Sequence, residues 1–377
     1  MDASDIYKRA HAIGTYYGFT PLSSALLASR GKPKPQAVSI PEGEHIDAHA
    51  KEFAQLLKRI HASGNTPSPT RPLFIWHSNV TPGRKPPRTL VMQFHALGAD
   101  RAIVDAVLIR AVHAFVSDIS KQPLVLKVNS MGDKETRARL TREMGNFFRK
   151  RAATLPEECI ISARTDVFSA AELLLKTELS EGLPSPTDHL SENSRKHFEA
   201  VLEYLESTDT PYELAPHLLS RSPVWNETCF EIVGDEKVHA WGSRYFELAK
   251  PFFKSSPASA GAIVRINLEK AGSTAVPPHK TRKSPLFVFV HIGDEAKRES
   301  MKLADLLRRA RLPLTQAIGI ESLTEQMRFA EEQNPRFLII MGRKEALEHS
   351  VILRERANHT ETIVPLHTLV ETLKTVS

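Results

Sequence analysis

The chain has 377 residues, 41% of them hydrophobic and 25% charged, which is the make-up of a globular protein with room for two or three domains. No apolar run approaches the ~20 residues of a membrane helix, and two distant cysteines, Cys159 and Cys229, exclude a disulfide framework or a Cys-based zinc site. The net charge of +6 and pI near 9.2 permit an anionic partner such as RNA without requiring one.

The N-terminal residues Met1-Asp2-Ala3-Ser4-Asp5 lack the basic-then-apolar layout of a signal peptide, so the expected location is cytoplasmic. Residues 5–18 read as a helix capped by Asp5 and closed by Gly18. Phe19–Leu27 reads as a strand and residues 30–38 as an irregular Lys/Pro segment. Over His45–His61 the helical period puts Ala48, Phe53, Leu56, Leu57 and Ile60 on one face. Leu73–Val80 and Thr89–Leu97 pattern as antiparallel strands joined by a basic, proline-rich loop. Asp105–Ser117 is an apolar helix, residues 134–182 are mostly helical, and Ser194–Ser207 is a further helix. Cys229–Val233 and Trp241–Leu248 are strand-like. Residues 269–285 have linker composition. Beyond them the pattern alternates: strand 286–291, helix 295–309, strand 314–317, helix 323–332, strand 337–341, an edge-type strand at 351–356 and a helix at 366–373. Continuous apolar strands between helices imply a sheet covered on both faces.

One stretch is more specific. The apolar run Val125–Val128 stops at Asn129-Ser130-Met131-Gly132-Asp133, where Gly132 can take a positive φ and Asp133 can cap a helix starting at Lys134. This wording resembles the Asn-Ser-x-Gly-Asp signature of histidyl-tRNA synthetases. Further resemblance lies in Pro41-Glu42-Gly43, Gly98 with Asp105-Ala106, Ser194–Tyr204, Pro211-Tyr212-Glu213-Leu214, and, in the C-terminal part, Gly293-Asp294-Glu295-Ala296 with Ser322-Leu323 and Gln326. It implies an α+β class II synthetase-like antiparallel sheet core with a helical insertion, followed by a C-terminal α/β anticodon-binding-like domain. The implied parts are a core at 1–133 and 208–268, an insertion at 134–207, a linker at 269–285 and a final domain at 286–377.

The chemistry of that family joins a carboxylate to the α-phosphate of ATP, with magnesium, and suits fixed arginines that grip phosphate. Here the family's arginine columns hold Ser220 and Asn267, and two tyrosines of the histidine-recognition motif become Val224 and Trp225. Trp241 stands where a glycine lets substrate approach, so it is expected to fill the pocket. Arg265, two places from Asn267, would point elsewhere if that segment were a helix. Residual substrate-pocket candidates are Glu42, Arg88, Arg221 and Arg244. The resemblance places tRNA contacts at Ser322, Gln326 and Arg328. The family's motif 1 proline, at its dimer interface, falls at Ala25, so a homodimer of the family type is not assured. His95 reads as a pocket-filling residue. His45 and His49 flank Asp47 at helical spacing without a third ligand, so no metal site is expected.

The sequence thus reads as a catalytically inactive paralogue acting through tRNA or a protein partner, away from membranes. One alternative is an active histidine–tRNA ligase using Arg88, Arg221 and Arg244 in shifted geometry. The other is a protein resembling the regulatory subunit of ATP phosphoribosyltransferase.

Overall fold

The computed structural model describes residues 3–23, 46–80, 88–120, 122–220, 222–235, 237–255, 257–268 and 285–376. The first helix, α1 (Ala3–Tyr17), buries Ile6, Tyr7, Ala10, Ile13 and Tyr17 at helical spacing and stops at Gly18, whose φ is +80°. Of the strand expected over 19–27, β1 covers Thr20–Pro21, Leu22 and Ser23 are helical, and residues 24–27 lie outside the described residues. Pro21 has no N–H to give to a ladder, which removes a reason to extend the strand. Helix α2 (Ala48–Ala62) begins later than its periodicity implied, because Asp47 supplies the cap: its Oδ1 accepts from the Ala50 amide at 2.8 Å.

Two antiparallel strands follow, β2 (Leu73–Val80) and β3 (Arg88–Leu97), then α3 (Ala102–Ile119), which is buried almost all round. The remaining core strands are β4 (Val125–Ser130), β5 (Glu213–Leu214), β6 (Asn226–Gly234), β7 (Lys237–Arg244) and β8 (Ser259–Leu268). They form one eight-stranded sheet in the order β1-β2-β3-β8-β7-β6-β4-β5, antiparallel except at its two short edge strands. This is the antiparallel core that the resemblance implies.

The period of two along each strand sorts the side chains into two layers. Leu90, Met92, Phe94 and Ala96 of β3, with Ala260, Ala262 and Val264 of β8, pack under α1, α3 and α7 (Glu192–Ser207). Their odd-numbered neighbours Val91, Leu97 and Ile263 pack under α2 and the short α8 (Phe246–Ala249). Two expectations are corrected here. The segment to Leu248 is not strand throughout: Tyr245, Leu248, Ala249, Phe252 and Phe253 bury themselves at the spacing of a helix. The segment around Asn267 is strand and not helix, so Arg265 and Asn267 share a face.

Helices α4 (Lys134–Lys150), α5 (Glu157–Thr165) and α6 (Val167–Leu174) enclose a separate cluster with Met131, Leu140, Met144, Phe148, Phe168 and both cysteines. The C-terminal elements are β9 (Phe287–His291), α9 (Asp294–Arg309), β10 (Leu314–Gln316), α10 (Leu323–Gln333), β11 (Phe337–Met341), α11 (Arg343–Leu347), β12 (Ser350–Glu355), β13 (Glu361–Pro365) and α12 (Leu366–Val376). Their sheet runs β10-β9-β11-β12-β13. The strand at 350–355 is therefore interior; the edge is β13, whose Glu361, Thr362 and exposed Ile363 give little apolar pattern to read.

This second sheet docks on the α1–α3 layer. Met301 and Ile318 join the core cluster, and the Tyr17 hydroxyl donates to Asp305 Oδ1 at 2.6 Å. Arg110 of α3 pairs with the same carboxylate. Gly319 has φ +77°, and a Cβ on it would lie 2.9 Å from Ala99 Cβ, so the approach needs a glycine. Among the described residues, no helix is long and apolar enough to cross a membrane.

Candidate functional site

The signature turn is a structural junction. Asn129 Nδ2 donates to the carbonyls of Leu218 (3.0 Å) and Pro216 (3.4 Å), tying β4 to the 216–218 segment. Gly132 has φ +62°, and a Cβ there would meet Thr136 Oγ1 at 2.5 Å. Asp133 caps α4 through Oδ1, taking the Thr136 amide at 2.8 Å and its hydroxyl at 2.9 Å. Its Oδ2 accepts from Ser191 Oγ at 2.8 Å, which fixes the start of α7. The motif therefore positions four segments without needing a ligand.

Of the columns that the resemblance assigns to substrate, those of Trp225, Trp241 and Asn267 lie on the α2 side of the large sheet. There Phe53 of α2, fully buried, meets His95, Tyr245 and Trp225 at ring separations of 4.4, 5.0 and 5.4 Å. Trp225 packs edge-on against Trp241 at 4.7 Å, and His49 stacks on Trp241 at 4.9 Å. The Trp225 indole donates to Asp47 Oδ2 at 2.6 Å, so one aspartate both caps α2 and holds the tryptophan under it. Gly261 leaves the room: a Cβ there would sit 2.6 Å from His95 Nδ1.

A polar relay crosses this packing. His95 Nε2 faces the Gln93 carbonyl oxygen at 3.1 Å and so carries the proton; Nδ1 then accepts from the Tyr245 hydroxyl at 2.7 Å. Gln93 Nε2 donates to Glu52 Oε2 at 3.3 Å, and Arg265 donates to Glu52 Oε1 at 3.0 Å. Burial, helped by nearby His77, pushes the His95 imidazole down to about 3, and burial raises the Tyr245 phenol well above its usual value. His95 is thus a neutral link. It fills the pocket as expected, but it also orders a chain of donors that ends at the surface pair Glu52–Arg265.

Of the residual pocket candidates, Glu42, Arg221 and the side chain of Arg88 lie outside the described residues, as do Ala25 and His45. Arg244 does not face the α2 side. It points under α3, where its Nε lies 2.8 and 2.9 Å from the two Asp105 oxygens and its Nη2 donates to the Arg101 carbonyl at 3.1 Å. Burial would raise the Asp105 carboxyl, but Arg244 and the His197 hydrogen bond at 2.5 Å outweigh it and hold it down. With 4% of Arg244 exposed, this guanidinium is a buried structural partner. Ser220 offers its carbonyl to Arg137 at 3.1 Å, and Asn267 accepts from Thr89 Oγ1 at 3.2 Å.

In the C-terminal part, Ser322 is exposed at the start of α10 and Arg328 pairs with Glu325. Gln326 is fully buried. Its Oε1 accepts from the His291 amide at 2.9 Å, and its Nε2 donates to the carbonyls of His291 (2.7 Å) and Ile320 (2.8 Å). With each polar atom engaged inside the domain, it presents none to an RNA. Among the described residues, no group of His, Cys, Asp or Glu is arranged to hold a metal ion.

The Asp105–Arg244 pair and the Glu52–Arg265 pair were missed in the sequence. Each joins residues more than 100 positions apart, and neither leaves a local signal. Asp47 was within reach: an aspartate just before a helical period is a cap candidate.

Residues 286–376 match the family model of the anticodon binding domain. A histidine–tRNA ligase of Fervidobacterium nodosum is 29% identical over 274 residues, which span 69% of this chain and 64% of that relative. One from a Geobacillus species is 26% identical over 290 residues, covering 74% of this chain and 68% of the relative. The crystal structure of apo histidyl-tRNA synthetase from S. aureus aligns with 98% of this chain and 95% of its own, at 19% identity and a TM-score of 0.48. The chain is thus similar to histidine–tRNA ligases over 69% and 74% of its length in these two alignments, and its C-terminal part matches the anticodon binding domain.

Proposed function

We propose that this chain is a binding or regulatory protein on a histidyl-tRNA synthetase scaffold and does not carry out histidylation. The observation that carries this reading is the fate of the arginines. Arg244 is sealed against Asp105 on the far side of the sheet, and the motif 3 column holds the uncharged Asn267. A pentacoordinate phosphorus and a departing pyrophosphate need free guanidinium groups at hydrogen-bonding distance; one missing contact of this kind costs several kcal/mol of transition-state stabilisation. Packing supports the same conclusion, because Trp225 and Trp241 occupy the columns where smaller or hydroxyl-bearing residues would meet histidine. Among the described residues, the donor set on this face does not fit ATP with magnesium.

The test is thermal stabilisation by ATP, histidine and a non-hydrolysable histidyl-adenylate analogue. A ligand at a hundredfold excess over Kd stabilises by about 2.7 kcal/mol. The expected result is no shift with any of the three at millimolar concentration. A clear shift with the analogue overturns the reading.

One observation favours the active-ligase alternative. Because β8 is a strand, Arg265 points to the same side as Asn267, about 7 Å along the chain. Release of its 3.0 Å contact with Glu52 would leave a guanidinium near the motif 3 position. Under this second reading, the Arg265→Gln variant loses an activity that the wild type shows.

A further inference from the structure

The C-terminal sheet ends at β13, which has no strand beyond it among the described residues. Val290 of β9, Ile340 of β11, Ile352 of β12 and Ile363 of β13 stand opposite one another in register, so they form one apolar row across the sheet. Helix α10 covers the start of that row, packing Ala330, Met327 and Phe329 against Val288, Val290 and Leu338. The cover thins toward the edge. Val290 is fully buried, Ile340 and Ile352 are half-buried, and Ile363 is 66% exposed. An apolar β-branched residue on a free edge strand invites another strand to pair with it.

The backbone of β13 is aimed the same way. The Glu355 amide donates to the Thr360 carbonyl at 2.9 Å, and the Leu366 amide to the His349 carbonyl at 2.8 Å. Bonded pairs alternate along an antiparallel ladder, so the bonded pairs between these two are Leu353–Thr362 and Val351–Val364. Ile352–Ile363 is then a non-bonded pair, and the amide and carbonyl of Ile363 point away from β12 to the free edge. The same holds for Glu361 and for the Pro365 carbonyl. Charge and proline usually guard such an edge. Here Arg354 Nε holds the Glu361 carboxylate at 2.7 Å, and Pro365 lacks only a donor.

We propose that β13 pairs antiparallel with β13 of a second copy of this chain, about a two-fold axis at Ile363. Centred there, Ile363 exchanges both backbone bonds with its counterpart, and each Glu361 amide donates to the Pro365 carbonyl of the other copy. The register is self-complementary. Thr362 meets Val364 and Glu361 meets Pro365, so no two like charges face each other across the seam. The two exposed isoleucines pack together, and the apolar row runs through the axis into the second sheet. A centre at Thr362 or Val364 fails, because their backbone groups are already spent on β12. One chain therefore specifies both sides of the seam, which is the argument for a second copy over an unrelated strand. The proposal does not rest on the loss of histidylation: an active ligase with this edge would pair in the same way.

A seam of five residues a side is small, so the expected Kd is weak, roughly 10–100 μM. The test is sedimentation velocity of the full chain at about 150 mM salt, which screens the repulsion between two chains of net charge +6. The mean mass should climb toward twice its starting value between roughly 1 and 300 μM protein. Ile363→Lys, at an exposed position, sets two ammonium groups face to face and should weaken association about tenfold. The register is read by cross-linking. Ile363→Cys places two thiols opposite each other with Cα atoms about 5.5 Å apart, inside the disulfide range. Mild oxidation should then give a covalent dimer, and Ser322→Cys, exposed at the start of α10, should not. Both native cysteines are buried. A mass that does not rise with concentration would overturn the proposal, as would association that Ile363→Lys leaves unchanged or an Ile363→Cys protein that does not cross-link. Because the cross-link is read at β13, a dimer made elsewhere on the chain does not imitate it.

Discussion

The turn at Asn129–Asp133 and the α2 side of the large sheet resemble two parts of one family pattern, and they differ in what their residues touch. In the turn, Asn129, Gly132 and Asp133 each meet a partner within the chain: carbonyls of 216 and 218, Thr136, and the start of α7. On the α2 side, the columns that resemble substrate contacts hold Trp225, Trp241 and Asn267, and the space is taken by Phe53, His95 and Tyr245. Signature residues that hold the fold have local reasons to stay whatever the chemistry. Residues whose only partner is a ligand have no such local reason.

The largest effect should come from the buried Asp105–Arg244 pair. Asp105→Ala leaves Arg244 uncompensated in the interior, and urea denaturation should register a loss of about 3–5 kcal/mol. A much smaller loss would mean that Arg244 turns back toward the α2 side, and the comparison would fail there.

Next is the pH dependence of the filled face. His95 titrates at about 3 in the folded chain and near 6.5 when exposed, so the unfolded chain takes up the proton first as pH falls. Stability present above about pH 6.5 is therefore lost progressively toward pH 3, by up to ~1.4 kcal/mol per pH unit from this one group. His95→Gln should flatten the acid limb by about one proton in denaturation midpoints taken from pH 6 to 4. His77, pushed down to about 4 chiefly by burial and then by Arg59, contributes in the same direction and should remain in the variant.

In the turn, Gly132→Ala forces a Cβ against Thr136 at a left-handed φ and should cost about 1–3 kcal/mol. Asp133→Ala removes a cap and should cost about 1 kcal/mol, within a range of about 0.5–2. If both changes were neutral, the motif would need a ligand to explain it. The smallest effect belongs to Glu52→Gln. Its ion pair with Arg265 is part-exposed, so screening should leave less than about 1 kcal/mol.

The sequence made the scaffold legible where local rules apply. Asp133 before Lys134, the alternation in β3 and the apolar run of β9 each name their element from a few adjacent residues. It misled where local patterns are ambiguous. Pro21 ended a strand that composition would have extended, and the run ending at Leu248 carried a helical period inside a strand-like composition. The side to which an arginine points was the least legible. Arg265 changed sides when its segment proved to be strand, and Arg244 found Asp105 across 139 positions. Gln326 shows the same limit: a polar residue at a helix start looked available, but it is used to finish β9.

The central claim is that the α2 side of this sheet no longer supports adenylate formation. Histidine-dependent exchange of pyrophosphate into ATP tests it most directly, because it reads the first chemical step without requiring the correct tRNA. The account predicts no exchange above a protein-free background at millimolar ATP and histidine, with or without Arg265→Gln. Histidine-dependent exchange by the wild type that Arg265→Gln abolishes would contradict it and make Arg265 the relocated phosphate-binding arginine.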